Sequence, residues 1–118
     1  MKKILIVDDE VGIIQEVKEF LEEEGYEVHT ADTAKAGMKL IEEVRPDVIL
    51  IDIKLPDASG NEVLRFCKER SPKTKTVIVT GYVDQHVMDE AEQLGRDAFL
   101  QKPFNLEKII NEIQRLTA

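Results

Sequence analysis

Acidic, hydroxyl and lysine side chains recur just past short apolar runs. Asp8 and Asp9 follow Ile4–Val7, Asp52 follows Val48–Ile51, Thr80 follows Val77–Val79, and Lys102 lies beyond Ala98–Leu100. Two carboxylates about 4 Å apart repel by roughly 4 kcal/mol at an effective dielectric near 20, so a cluster of acids needs something to offset it. A hard divalent cation does so: Mg2+ takes one or two carboxylates, keeps several waters and adds a substrate phosphate. An aspartate can also act as a nucleophile and become an aspartyl phosphate. The Thr80 hydroxyl can donate to a phosphoryl oxygen, and Lys102 can neutralise another as a point charge. Catalysis of phosphoryl transfer is mainly positioning plus charge neutralisation, and this set supplies both.

The elements that would bring these residues together are readable from periodicity. The runs Ile4–Val7, Val48–Ile51, Val77–Val79 and Ala98–Leu100, with a weaker one at Tyr26–Thr30, are apolar on both faces, as buried parallel strands are. Helical patterns separate them. The first carries Ile14, Val17 and Leu21 and stops at Gly25, and the second carries Leu40, Ile41 and Val44 and stops before Pro46. The third starts at Ser59 with Glu62 as a capping box and carries Val63, Leu64 and Cys67. The fourth carries Val87, Ala91 and Leu94 and ends at Gly95; the fifth follows Asn105 as N-cap, with Leu106, Ile109, Ile110 and Ile113 on one face. Strand and helix thus alternate five times. Right-handed crossovers turn that order into a doubly wound α/β three-layer sandwich. Ligands of such sheets bind beyond the carboxyl ends of the strands, where Asp8, Asp9, Asp52, Thr80 and Lys102 all fall. The second run ends in His29 and Thr30 and adds no obvious partner.

Composition narrows the class. The chain has 118 residues, enough for one domain, read as spanning 1–118 without an appended output domain or as cut from a longer chain. Its 24 acids against 16 bases give a net charge of −8, which argues against unaided binding of nucleic acid or anionic membrane. A lone cysteine, Cys67, allows no internal disulfide and fits a reducing cytoplasm. The start MKKILIV imitates a signal peptide, but Asp8 and Asp9 end its apolar run too early, and no run approaches a membrane span.

The pattern Asp8-Asp9, Asp52, Thr80 and Lys102-Pro103, with LPDASG at Leu55–Gly60 and Phe99 three residues before the lysine, resembles the receiver domain of two-component response regulators along the whole chain. The resemblance implies a flavodoxin-like fold with a parallel sheet of order 2-1-3-4-5. It implies that Asp52 accepts a phosphoryl group from a phosphohistidine of a sensor histidine kinase or histidine phosphotransfer protein, in a reaction dependent on Mg2+, with Mn2+ as a substitute. Asp8, Asp9, Asp52 and the backbone carbonyl of Lys54 would hold the metal, Asp8 through water. Thr80 and Lys102 would contact the phosphoryl group, and Phe99 would rotate inward as Thr80 moves, reshaping the face of helix 4, strand 5 and helix 5 for a downstream protein. The Lys102–Pro103 bond would be cis. The domain would assist its own phosphorylation and dephosphorylation, as a signalling protein rather than a turnover enzyme. Gly81 departs from the family's frequent alanine, and Lys54 and Tyr82 stand where the family tunes phosphoryl lifetime.

Plainer readings exist for each residue. Asp8 and Asp9 can cap the first helix, and Glu10 is assigned to its first turn. Asp52 can be an ordinary strand-end residue, Thr80 a strand former, Lys102 a weakly paired surface charge and Phe99 simple core. Cys67 reads as core, His29 and His86 lack zinc-ligand spacing, and Glu22–Glu24 read as a solvated helix end. The enzyme-class rival is an aspartyl-phosphate phosphohydrolase of the haloacid-dehalogenase kind, but Asp8-Asp9-Glu10 lacks its Asp-x-Asp signature. A receiver-like module that is never phosphorylated, and an FMN binder, are further rivals. The intact acidic set counts against the first, and three acids where phosphate must sit, without a Gly- or Ser/Thr-rich phosphate loop, count against the second.

Overall fold

A computed structural model describes residues 1–81 and 84–118. Five strands alternate with five helices: β1 (Lys3–Val7), α1 (Val11–Glu23), β2 (Glu27–Ala31), α2 (Ala34–Val44), β3 (Val48–Ile51), α3 (Gly60–Arg70), β4 (Lys75–Thr80), α4 (Gln85–Gln93), β5 (Ala98–Gln101) and α5 (Leu106–Thr117). The strands form one parallel sheet in the order β2-β1-β3-β4-β5.

Alternation of side chains along each strand explains why the runs are apolar throughout. Leu5, Val7, Ile49, Ile51 and Ile78 face one layer, packing with Ile41, Val63, Leu64 and Ala91 from α2, α3 and α4. Ile4, Ile6, Val48, Leu50, Val77 and Val79 face the other, against Ile14, Val17 and Leu21 of α1 and Ile109 and Ile113 of α5. Burying each large side chain contributes roughly 1.5–3 kcal/mol, and polar substitution on either face of β1 or β3 exposes the loss directly.

Small residues decide two close approaches. The buried face of α2 is Ala34, Gly37 and Ile41 rather than Leu40, Ile41 and Val44; Leu40 and Val44 are only half-buried. A Cβ on Gly37 would lie 2.8 Å from Val7 Cγ2, so α2 rests almost directly on β1. The start of α3 is closer still. A Cβ on Gly60 would stand 2.1 Å from the Asp52 carbonyl oxygen, and the Gly60 N–H donates to Ile53 O at 2.7 Å.

Helix ends follow the sequence signals with adjustments. Gly25, at φ +95°, closes α1 in the left-handed conformation, and Asn105 caps α5 by accepting from Lys108 N at 2.8 Å. Ser59 caps α3 by accepting from Asn61 N at 3.2 Å, one residue short of the position a capping box uses. Tyr26 lies before β2, its N–H held by Leu21 O at 3.1 Å, so the strand starts one residue later than its composition suggests. Cys67 is fully buried, and burial pushes its thiol up to about 11, in keeping with a small core residue.

The loop between β3 and α3 is fastened at a second point. The Asp57 carboxylate accepts from the N–H of Ala34 at 2.8 Å and of Lys35 at 3.0 Å, the free donors at the start of α2. These two bonds hold the Asp57 carboxyl below the ordinary carboxylate value near 3.8. A depressed carboxyl stabilises the fold above its unfolded pKa, and the contribution disappears as pH falls through the folded value. Asp57→Ala is therefore expected to accelerate hydrogen exchange at the Ala34 and Lys35 amides at neutral pH. The wild-type protein should show the same acceleration only below about pH 3.8. Unchanged exchange in the variant would show that Thr33, which accepts from Ala36 N at 3.0 Å, suffices as the cap.

Candidate functional site

Asp8, Asp52 and Lys102 each stand one step beyond a strand, with their own amides still in the sheet. Asp8 N–H donates to Ala31 O at 3.0 Å, Asp52 N–H to Val7 O at 2.9 Å, and Lys102 N–H to Thr80 O at 3.0 Å. Asp8 is thereby clamped to β2, Asp52 to β1 and Lys102 to β4, and Thr80 is the last residue of β4. Asp52, Thr80 and Lys102 open on a cleft of about 660 Å3 lined also by Asp9, Glu10 and Lys54.

The Lys102 ammonium is the hub. It donates to Asp8 Oδ2 at 2.7 Å, Glu10 Oε1 at 2.5 Å and Asp52 Oδ2 at 3.1 Å. Asp8 and Asp52 are 5% and 6% exposed, and the Lys102 side chain is 10% exposed, so this is not a solvated rim pair. Burial works against the ammonium, but the bonds to Asp8, Glu10 and Asp52 outweigh it and hold Lys102 above the ordinary lysine range. Asp8 is raised too: burial disfavours its charge more than Lys102 and the Glu10 N–H favour it. One ammonium therefore leaves the Asp8 charge incompletely offset.

That deficit fits a metal. Carboxylate oxygens of Asp8, Glu10 and Asp52 lie within 4.8 Å of one another, a hard all-oxygen donor set of the kind Mg2+ takes. From sequence, Asp9 belongs to this set and Glu10 to the first helical turn. In the structure Asp9 is an exposed residue lining the cleft, and Glu10 takes the third place in the cluster. Glu10 is the residue before α1, outside its first turn, and makes no side-chain cap bond. Its side chain turns to Lys102 instead, because the full charge of an ammonium outcompetes the roughly half-charge of a helix N-terminus. Adjacency to Asp8-Asp9 was the only signal, and spacing alone does not tell a cap from a cluster. Asp8 does not cap the helix either: its Oδ1 accepts from Glu10 N at 2.9 Å, a local turn that aims Oδ2 at Lys102.

The remaining residues fall around this hub. Thr80 is 1% exposed at the floor of the cleft. Lys54 is exposed, and its N–H donates to Asp52 Oδ1 at 3.3 Å. Gly81 has room for a methyl group, since a Cβ there would meet Lys102 Cβ at 3.6 Å. The Lys102–Pro103 peptide bond is cis. Phe99 is half-buried on the α2–α4 side of the sheet, with the Arg96 guanidinium 5.8 Å from its ring centroid. Tyr82 lies outside the described residues. His29 pairs with Glu27 at 2.7 Å on β2, away from the cleft.

Comparison with known proteins agrees with this geometry. The family model of the response regulator receiver domain matches residues 4–114. Among characterised proteins, the chain is 31% identical over 114 residues to sporulation initiation phosphotransferase F of Bacillus subtilis, covering 97% of this chain and 92% of that protein. It is 35% identical over 116 residues to the transcriptional regulatory protein TrcR of Mycobacterium tuberculosis, covering 97% of this chain but 44% of that one. Among solved structures, a CheY-like response regulator receiver domain protein from Methanospirillum hungatei superposes with a TM-score of 0.96 at 39% identity, covering 99% of this chain and 94% of that one. The phosphohydrolase rival finds no support in these matches.

Proposed function

The chain belongs to the response regulator receiver domain family, the phosphoacceptor module of two-component signalling, and on that premise we propose that Asp52 is the residue that accepts the phosphoryl group. The observation that carries the reading is the Lys102 hub. A buried aspartate at a strand end, with an ammonium at 3.1 Å and a second buried acid alongside, is built to hold charge that arrives from outside.

In this reading a phosphohistidine of a sensor kinase or phosphotransfer protein enters the cleft. An Asp52 carboxylate oxygen attacks phosphorus, the P–N bond breaks, and the imidazole nitrogen keeps the electron pair of that bond. Asp8 and Asp52, with Asp9 and the Lys54 carbonyl at the rim, are the residues available to hold Mg2+ or Mn2+, while Glu10 lies beside them against the Lys102 ammonium. The ion would supply positive charge to the transferring phosphoryl oxygens. Lys102 neutralises one phosphoryl oxygen and Thr80 donates to another. Movement of Thr80 toward the phosphoryl group would let Phe99 turn inward and alter the face of α4, β5 and α5, where a downstream protein reads the state. The same groups can promote hydrolysis of the acyl phosphate, so the domain assists both its loading and its reset. The net charge of −8 favours a protein target over nucleic acid, and the lone buried Cys67 suits a cytoplasmic setting. No helix among the described residues is long and apolar enough to cross a membrane.

The test is labelling by a small acyl-phosphate donor. Wild type should be labelled in Mg2+ and hardly at all in chelator, and Asp52→Ala should remain unlabelled in both. Equal labelling of wild type and Asp52→Ala would sink the proposal.

A further inference from the structure

Three carboxylates surround one ammonium. Asp8, Glu10 and Asp52 carry three negative charges against the single positive charge of Lys102. If a divalent cation takes Asp8 and Asp52, the ammonium cannot keep its place between them, because two cations would then share two acids. Glu10 differs from the other two acids in position. Its side chain is 51% exposed, on the solvent side of the hub, yet it makes the shortest contact to the ammonium, 2.5 Å. It is also free of helix-capping duty, since α1 has no side-chain cap bond.

We propose that Glu10 is a positioning residue for Lys102: when a divalent cation occupies the Asp8–Asp52 pair, the ammonium shifts onto Glu10 and stays at the cleft, ready for an incoming phosphoryl oxygen. The proposal rests on the cation-binding reading above and adds a role for a residue outside the sequence motif. With Glu10 present, a divalent cation brings the four-residue set to neutrality. With Glu10 removed, cation and ammonium exceed the two remaining acids by one charge.

The distinguishing measurement is cation affinity in a double-mutant cycle, read by calorimetry with Mg2+ and by paramagnetic Mn2+ titration, without any phosphodonor. Glu10→Gln should weaken binding roughly tenfold in the wild-type background, within the usual span for coupled neighbours. In a Lys102→Gln background the same substitution should change affinity less than about twofold, because only a screened, half-exposed charge remains. Equal loss in both backgrounds would overturn the proposal and make Glu10 a direct ligand. Absence of cation binding by wild type would overturn the cation reading itself, and this proposal with it. Should Lys102→Gln not fold, Glu10→Gln alone decides through the Lys102 side-chain nitrogen resonance in saturating Mg2+. An ammonium that stays immobilised in wild type and tumbles freely in the variant supports the role, whereas identical behaviour refutes it.

Discussion

Replacing Lys102 with methionine is expected to destabilise the protein by about 3–5 kcal/mol at pH 7, the usual cost of stripping one partner from a buried ion pair. Methionine keeps most of the aliphatic stem, so the loss isolates the charge. Asp8 and Asp52 are each almost fully buried, and their carboxylate oxygens lie within 4.8 Å. At that separation two charges repel by about 3.5 kcal/mol at an effective dielectric near 20. Two dependences should accompany the loss. Asp8 is already raised by burial, and without the ammonium it rises further. A carboxyl whose folded pKa exceeds its unfolded one binds more protons when folded, so stability falls as pH rises through that window and returns as pH drops. The variant should therefore recover part of its deficit on acidification toward pH 5. Millimolar Mg2+ should also stabilise the variant more than wild type, through RT ln(1 + [L]/Kd), because the cation meets no competing ammonium. Urea unfolding at two pH values, with and without Mg2+, checks all three. A loss under 1 kcal/mol would mean that the hub behaves as an exposed surface pair.

The second large effect belongs to a residue without a functional group. Gly60→Ala puts a methyl carbon 2.1 Å from the Asp52 carbonyl oxygen, 2.8 Å from the Asp52 carbonyl carbon and 2.9 Å from Ile53 Cα. All three are backbone atoms of the strand end that presents Asp52, so no side chain can swing aside. Either α3 lifts away, losing the Gly60 N–H bond to Ile53 O, or the end of β3 is displaced together with the Asp52 carboxylate. The expected cost is about 3 kcal/mol or more, at the upper end of overpacking. Acyl-phosphate labelling should be impaired even where the fold survives. Gly12→Ala is the matched control: Gly12 lies on the exposed face of α1 with nothing within 4 Å, and alanine there should stabilise by roughly 0.5–1 kcal/mol. Similar denaturation midpoints for the two variants would show that the end of β3 yields more easily than its packing suggests.

Much of this was legible in the chain. Val7 and Ile51 are fully buried and followed at once by acids, and strand-end geometry turns that pattern into a cluster. What escaped follows from specific limits. Ala34 and Gly37 carry too little apolar surface to mark the buried face of α2, although their smallness is what lets the helix touch Val7. Glu10 looked helical because acids favour first turns, and only the position of Lys102, 92 residues away, reveals the stronger attraction. Asp57 sits in a loop whose composition says turn, and its service to α2 depends on a crossover that no local pattern encodes. Tyr26 is a good strand former overruled by the bond that closes α1.

The amides of Asp8, Asp52 and Lys102 remain bonded to neighbouring strands one residue past the regular sheet. Fixing a residue's backbone costs about 1–2 kcal/mol of conformational entropy, and here that cost was met when the sheet formed. An arriving ion or phosphoryl group therefore has to order only side-chain torsions. Affinity in such a cleft is governed by charge balance rather than by chain ordering, which leaves the equilibrium open to adjustment by single rim residues without disturbing the fold beneath.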